Sequence, residues 1–239
     1  MTAAQPGVPY RERRCAGLPG VAWTASRPAG VTSVLPDGCM DLIWTGHDLI
    51  IAGPDVAPNT THVETVSTMT AVRFDPGQGP AILGVRAAEC RDLRIPVAEV
   101  WPAGDVRRLT DSLHESTAPG TELLAWCRRR QRESTPAWVG GVVESLREGA
   151  SVTAVARQVA MSERTLHRRA HEYFGYGPKT LARILRMRAA LDRIDRSPQE
   201  RDEGGLSAIA ATCGYADYAH MYREFRDLTG CAPTEFMNR

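Results

Sequence analysis

The stretch of sequence that decides the fold lies at residues 206–239 and reads LSAIAATCGYADYAHMYREFRDLTGCAPTEFMNR. Its first part carries apolar residues at helical spacing as far as Cys213. Gly214 interrupts this helix, and Asp217 is a good N-cap for a second helix. Two short helices joined by a glycine-containing turn form a helix-turn-helix, whose second helix can lie in the major groove of DNA.

The same unit occurs once more, earlier in the chain. Its first helix ends near Met161, and Ser162 caps a second helix whose buried face we place at Leu166, Ala170 and Tyr173. An internal repeat at a nearly constant offset is typical of a duplicated structural unit. The matching residues are Ala156 and Ala210 at an offset of 54, and, at 55, Leu166 and Met221, Ala170 and Phe225, Gly175 and Gly230, Pro178 and Pro233.

These two units resemble the DNA-binding domain of the AraC/XylS family of transcription regulators over residues 138–239. The resemblance implies two helix-turn-helix units joined by a linker helix, which apolar spacing places at residues 179–194. The polar stretch 195–205 is longer than is usual in the family, and we expect it to fray with a pivot at Gly204 and Gly205. The residues that carry the resemblance are Ala156, Ser162, Leu166, Gly175 and Pro178, then Ile209, Ala210, Gly214, Tyr215, Phe225, Arg226, Thr229, Gly230 and Pro233.

The first half of the chain has a different pattern, of short apolar segments separated by turns rich in Pro, Gly and Asp. We predict strands at residues 21–25, 31–35, 40–44, 49–52 and 65–74, which suit a small barrel or sandwich. Two helices at 105–115 and 121–132 follow as a hairpin, with Gly120 or Thr121 as the second cap. We therefore expect an α+β protein with a β-rich domain at 8–133 and an all-α domain at 138–239, joined by a charged, Pro-containing link.

A second resemblance concerns the β-rich half. The segment LPDGCMDLIW, followed by GPD, is similar to sensor domains of one actinobacterial group of such regulators. Such sensor domains are often a cupin-like barrel with a helical hairpin. The resemblance covers residues 8–133 and implies effector binding or dimerisation, without identifying the effector.

Composition narrows the class of protein. The chain has 239 residues, 43% of them hydrophobic and 24% charged, and no apolar run of about 18 residues that could span a membrane. Its first residues lack the apolar core of a secretory signal, and its six cysteines show no Cys-x-x-Cys pair. These features favour a reduced, cytoplasmic protein over a disulfide scaffold. The net charge is only +1, but residues 157–196 hold ten Arg or Lys and four Asp or Glu, as expected where phosphates are bound.

The candidate DNA-binding residues lie on the second helix of each unit and on the linker helix. Arginine can bond bidentately to guanine, and histidine can bond to base edges or phosphates. The alternative is that some of these side chains touch only phosphate or solvent, or that the tyrosines pack. The candidates are Arg164, His167, Arg168 and His171 in the first unit, Tyr218, Tyr222 and Arg223 in the second, and Lys179, Arg183 and Arg186 on the linker.

Candidate effector-binding residues are confined to the β-rich half. Asp37 lies between Pro36 and Gly38, so its side chain is as well explained by a turn as by a pocket. The pattern at residues 62–64 is too sparse for a metal site, and no basic neighbour in sequence activates the Cys39 thiol as a redox sensor. The candidates are Asp37, Cys39, Asp41, Trp44, His62 and Glu64.

Motifs for enzymatic chemistry are lacking in the sequence. It has no Gly-x-Ser-x-Gly, no phosphate-binding glycine loop and no His-Glu-x-x-His, so we expect no enzyme and no cofactor. We expect a transcription regulator that binds double-stranded DNA and answers to a small-molecule effector, with RNA polymerase and a homodimer as further candidate partners. The alternatives are a DNA-tethered cupin-type metal enzyme and an effector-independent interaction module.

Overall fold

The computed structural model describes residues 10–27, 29–63, 67–131, 134–196 and 203–237. The β-rich half contains one six-stranded sheet in the order β1-β2-β7-β4-β5-β8 and a second sheet of β3 and β6, with every neighbouring pair antiparallel. The strands are β1 Tyr10–Arg14, β2 Gly20–Arg27, β3 Gly30–Val34, β4 Met40–Trp44, β5 Leu49–Ala52, β6 Asn59–Val63, β7 Ser67–Phe74 and β8 Arg94–Pro96.

Helices cover one face of the large sheet and form all of the second half. No described helix is both long and apolar enough to cross a membrane. The helices are α1 Gly79–Leu83, α2 Ala87–Cys90, α3 Ala103–Glu115, α4 Pro119–Arg130, α5 Ala137–Arg147, α6 Val152–Gln158, α7 Glu163–Phe174, α8 Pro178–Arg196, α9 Glu203–Thr212, α10 Tyr218–Thr229 and α11 Pro233–Met237, with a 3₁₀ turn at Val97–Glu99.

Strand alternation gives the large sheet two unlike faces. In β4, Leu42 and Trp44 point to the helix-covered side and join a core with Leu109 of α3 and Leu123 of α4. Asp41 points the other way, toward the small sheet. The expected fold class is confirmed: a β-rich N-terminal half with a helical hairpin, α3 and α4, precedes an all-α C-terminal half.

The two helix-turn-helix units have the predicted caps. The Ser162 hydroxyl accepts a hydrogen bond from the Thr165 backbone amide at 3.1 Å, and the Asp217 carboxylate accepts one from the His220 amide at 2.6 Å. Gly175 ends α7 with φ 82°, and Gly230 ends α10 with φ 73°, the left-handed conformation that favours glycine. Both units therefore begin and end as the repeat predicts.

Some sequence-based boundaries need correction. The strands at 40–44 and 49–52 are confirmed, whereas β1, β6 and β8 were not predicted. Helix α4 starts at Pro119 with Ala118 as N-cap, rather than at Gly120 or Thr121. On α7 the fully buried aromatic residue is Phe174, since Tyr173 is only half-buried. Helix α8 reaches Arg196, and most of the polar stretch 195–205, at 197–202, lies outside the described residues.

The end of α7 packs against the β-rich half. A Cβ atom added to Gly175 would lie 2.7 Å from the Pro54 ring and 3.2 Å from the Ala87 carbonyl oxygen. One added to Gly77 would lie 2.5 Å from both the Phe174 ring and the Val139 side chain. These approaches leave no room for a side chain, so the β-rich half and the first helix-turn-helix unit fit closely at this contact.

We predict that Gly175→Ala destabilises the protein more than Gly230→Ala does. Both substitutions put alanine in a left-handed conformation, which costs about 1–2 kcal/mol. Only the first also forces a methyl group against Pro54 and Ala87, which adds about 1–3 kcal/mol, since nothing lies within 4 Å of the Gly230 position. Urea unfolding of both variants measures the difference, and equal losses would contradict the described packing of α7.

Candidate nucleic-acid interface

The candidate interface is built from the exposed sides of α7 and α10. On α7, Leu166, Ala170 and Phe174 are buried in the helical core, so the helix has one apolar face and one polar face. Arg164, His167 and Arg168 are exposed on the polar side. These side chains lie in the first two turns of the second helix, where helix-turn-helix proteins contact base edges.

His171 differs from the other candidates on α7. It is half-buried, its ring centroid lies 4.8 Å from that of His167, and it lines a cleft of about 740 Å³ that also contacts Arg91 of the β-rich half. Burial lowers its pKa, and the positive charges of His167 and Arg91 lower it further. The imidazole of His171 is therefore better suited to neutral hydrogen bonding than to pairing with a phosphate.

On α10 the candidates are less uniform. Met221, Phe225 and Leu228 are buried, as predicted. Arg223 is exposed and Tyr222 is 40% exposed, whereas Tyr218 is half-buried beside Tyr222, with 6.4 Å between the ring centroids. Tyr222 and Arg223 thus present polar groups to solvent, and Tyr218 has partly a packing role.

The linker residues have partners inside the protein. Glu224 of α10 is only 7% exposed and lies between Arg183 and Arg186 of α8. Arg183 Nε donates to Glu224 Oε1 at 3.0 Å, and Arg186 Nη2 donates to both carboxylate oxygens at 2.9 Å. Lys179, by contrast, is exposed at the start of α8. The DNA contacts of Arg183 and Arg186 stay predictions, but the structure gives both a role in joining α8 to α10.

Glu224 was missed by sequence reasoning, although a signal was present. It precedes Phe225 and lies three residues after Met221, which puts a charged residue on the buried face of α10. A buried carboxylate requires positively charged partners. From the sequence, these partners, Arg183 and Arg186, are candidates for DNA contact instead. His220 adds a third contact, since its Nε2 atom lies 3.5 Å from Glu224 Oε1.

The effector candidates separate into two groups. Asp37, Cys39 and Asp41 line one cavity between the two sheets. Trp44 lies on the opposite face of β4, where its ring packs edge-on against His114, and His62 is exposed on β6. Trp44 and His62 therefore do not line this cavity, and Glu64 lies outside the described residues.

The described ranges contain no group of three or more His, Cys, Asp or Glu side chains that could hold a metal ion. All six cysteines are free thiols. The pKa of the Cys39 thiol is raised well above its ordinary value by burial and by the negative charge of Asp37. A thiol held neutral in this way is a poor nucleophile.

Comparison with known proteins agrees with this geometry. Residues 155–239 match a family described as "Helix-turn-helix domain", and residues 21–96 match one described as "Domain of unknown function (DUF6597)". The chain is 27% identical over 103 residues to the HTH-type transcriptional activator RhaS of Pectobacterium atrosepticum, and 26% identical over 103 residues to RhaS of Pectobacterium carotovorum. Residues 155–239 therefore form a helix-turn-helix domain, and the similarity to RhaS agrees with the resemblance to the AraC/XylS family.

The matches with the RhaS proteins are partial. They cover 43% of this chain and 35% of each RhaS protein, so the chain matches about a third of the length of these relatives. Among solved structures, ToxT from Vibrio cholerae O395 aligns over 98% of both chains, with a TM-score of 0.45 and 9% identity.

We predict that Glu224→Gln lowers the free energy of unfolding by about 2–4 kcal/mol. The substitution leaves two guanidinium groups facing each other across a largely buried position without the carboxylate between them. The matched control is Asp227→Asn, which also removes a bond to Arg183 but at a side chain that is 66% exposed, so its loss stays below about 1 kcal/mol. Chemical denaturation followed by circular dichroism makes the comparison, and similar losses would refute the role given to Glu224.

Proposed function

We propose that the chain is a transcription regulator that binds duplex DNA with both helix-turn-helix units and is controlled by a small molecule in its β-rich half. The observation that carries the proposal is that α7 and α10 each have a side-chain N-cap and a glycine C-cap, bury corresponding faces and expose arginine on their outer sides. The relatives of the helical half are described as transcriptional activators, which supports a regulatory role.

The proposed base-reading residues are Arg164 and Arg168 of α7 and Arg223 of α10. Each is exposed, and each carries a planar guanidinium that can donate two parallel hydrogen bonds to O6 and N7 of guanine. His167 and Tyr222 are exposed beside them and can add contacts to base edges or phosphates. His171 and Tyr218 are half-buried, so we assign them supporting contacts at the edge of the interface.

The proposed role of the linker helix is to fix the distance between the two recognition helices. Helix α8 has 19 residues and spans about 28 Å at about 1.5 Å per residue. With the widths of the flanking units, this length suits two major grooves on one face of DNA, about 34 Å apart. Lys179, exposed where α8 begins, is placed to contact a phosphate between the two grooves.

The proposed division of labour assigns sensing to residues 8–133 and DNA binding to residues 138–239. Two large apolar cores support this division: one lies between the large sheet and α3–α4, and the other lies mainly within the helices from α5 onward, with Leu35 of the β-rich half added to it. The cavity lined by Asp37, Cys39 and Asp41 is the proposed effector site. Contact with RNA polymerase and homodimerisation stay predictions.

We predict that Arg168→Ala and Arg223→Ala each weaken binding to the operator by about 1–3 kcal/mol, because each loses a bidentate contact with a base. The operator is first selected from random duplexes with the wild-type protein, and affinities are measured by fluorescence anisotropy. Arg107→Ala is the control, since Arg107 is exposed on α3, away from both units. If the variants bind operator and unrelated DNA more weakly by the same factor, both arginines contact only phosphates.

We also predict that five base pairs inserted between the two half-contacts abolish tight binding. Half a helical turn moves the second groove to the far side of the duplex, and a continuous α8 cannot follow it. Five base pairs inserted outside the two half-contacts serve as control, because they lengthen the duplex without changing the spacing or the face of the two grooves. Undiminished affinity for the five-base-pair variant would mean that only one unit reads bases.

A further inference from the structure

The β-rich half contains a cavity of about 260 Å³ between its two sheets. Its apolar walls include Leu35 from the small-sheet side and Ile43, Ile50 and Met69 from the large sheet. Ligand pockets for drug-sized molecules run from about 300 to 1,000 Å³, so this cavity suits a smaller molecule. Residues from β2, β4, β5 and β7 line it together, which means that it belongs to the regular part of the fold.

The charged wall of the cavity has more carboxylates than cations. Asp55 is paired with Arg94 through two hydrogen bonds, at 3.0 and 2.6 Å. Asp37 and Asp41, however, lie 3.3 and 3.2 Å from the same nitrogen, Nε of Arg73. Three carboxylates thus face two guanidinium groups, and the side chains of Asp37 and Asp41 are only 17% and 11% exposed.

Burial and the crowded carboxylates affect the pKa of neighbouring groups. Burial raises the pKa of Asp41, Arg73 lowers it, and the negative charge of Asp37 raises it further. Burial likewise raises the pKa of the Tyr176 hydroxyl well above its ordinary range, with Asp37 as the next cause. A cation placed among these groups would supply the missing charge in a site of low dielectric, where its attraction to a carboxylate is strong.

An aromatic ring completes the site. Trp23 is 5% exposed, and its Nε1 atom donates to Asp41 Oδ1 at 2.6 Å, which fixes the indole beside the carboxylates. Indole faces attract cations, as the Arg73 guanidinium already shows at 5.8 Å from the ring centroid. Carboxylates, an indole face and aliphatic walls together favour a molecule with a positive end and a short apolar body.

We propose that this cavity binds a small organic cation, a primary amine on a short apolar body, and that Tyr176 transmits its presence to the first helix-turn-helix unit. The role of Tyr176 rests on the proposed function, because it requires that the first helix-turn-helix unit bind DNA.

The route to the DNA-binding half is short. The segment from Asp37 to Cys39 lines the cavity, and the Cys39 amide donates to Asp37 Oδ1 at 2.9 Å. Its middle residue, Gly38, touches the helical half, since a Cβ there would lie 3.4 Å from Leu181 of α8 and 3.6 Å from the Tyr176 hydroxyl. An ammonium group that draws Asp37 toward itself moves this segment relative to the turn between α7 and α8.

Tyr176 is poised to respond to that movement. It is 2% exposed in the turn between α7 and α8, and its hydroxyl has no hydrogen-bond partner among the described residues. A buried hydroxyl without a partner is unfavourable, so a movement of the Asp37–Cys39 segment that changes its surroundings changes the stability of this turn. The conformation of the segment is therefore linked to that of the recognition helix through Tyr176.

The first test compares three probes of one shape with the full-length protein. Benzylamine, benzyl alcohol and benzoate differ in charge at one end and are titrated by calorimetry at neutral pH. We expect benzylamine to bind at least tenfold more tightly than benzyl alcohol, and benzoate not to bind. If butylamine, cyclohexylamine and benzylamine all fail to bind, or if benzoate binds at least as well as the amine, the proposal is overturned.

Variants locate the binding at the cavity. Asp41→Asn removes one carboxylate and should weaken benzylamine at least tenfold, whereas Asp48→Asn, in the exposed turn after β4, should leave it unchanged. Ile50→Phe keeps every charge but fills part of the cavity, so it should also weaken benzylamine binding. This variant replaces Asp41→Asn in the test if Asp41→Asn fails to fold. Wild-type affinity in a folded variant of either cavity residue would overturn the assignment.

The last test separates this proposal from the proposed function. Affinity for the selected operator is measured with and without benzylamine for the wild type and for Tyr176→Phe. We expect the amine to change wild-type affinity at least threefold and the variant much less, with amine binding itself retained. An equal change in both proteins would overturn the role of Tyr176. If the protein binds the amine but no operator, the proposed DNA-binding function is refuted, whereas the proposed ligand of the cavity is still supported.

Discussion

Both helix-turn-helix units pack on one helix, α8, and the position of every side chain that we propose to contact DNA depends on how that helix is held. Its buried face runs from Leu181 to Ile194 and contacts helices of both units. Apolar contacts of this kind stabilise without strong directional preference. The bonds from Arg183 and Arg186 to Glu224 are directional, so they set the rotation of α10 about its own axis. That rotation decides which side chains of the second unit can face a groove.

The first unit is held in a different way. The C-terminal end of α7 packs on the β-rich half, where the Gly175 carbonyl accepts a bond of 3.5 Å from Arg91, while Arg164 and Arg168 remain in solvent. One helix thus has an exposed start, where we propose base contacts, and an end packed on the other half of the chain. A change in how the halves pack alters the tilt of α7 directly, without a long path through the core. The second unit packs on α8, so such a change can reach it through that helix.

Features that depend on local interactions were predictable from the sequence, whereas features that depend on long-range contacts were not. Caps such as Ser162 and Asp217 are local, and a repeated pattern doubles their weight, so both units were predictable. Strand β1 was missed because its sequence, YRERR, is charged and pairs only with β2, at the edge of the sheet. The side of Trp44 follows from strict alternation with Asp41 and could have been read from the sequence. The cavity could not, since Arg73 and Arg94 reach it only through the order of strands in the sheet.

Charge placement gives the β-rich half a physical means of being bistable. The guanidinium of Arg73 pairs with two carboxylates, those of Asp37 and Asp41. A small movement can therefore strengthen its pairing with one carboxylate and weaken its pairing with the other. A ligand changes the balance of two states only through a difference in its affinity for them. Asp37 supplies that difference, because it belongs both to the cavity wall and to the segment that touches Tyr176. Asp41, anchored by Trp23 within a central strand, stays fixed and provides the reference against which Asp37 can move.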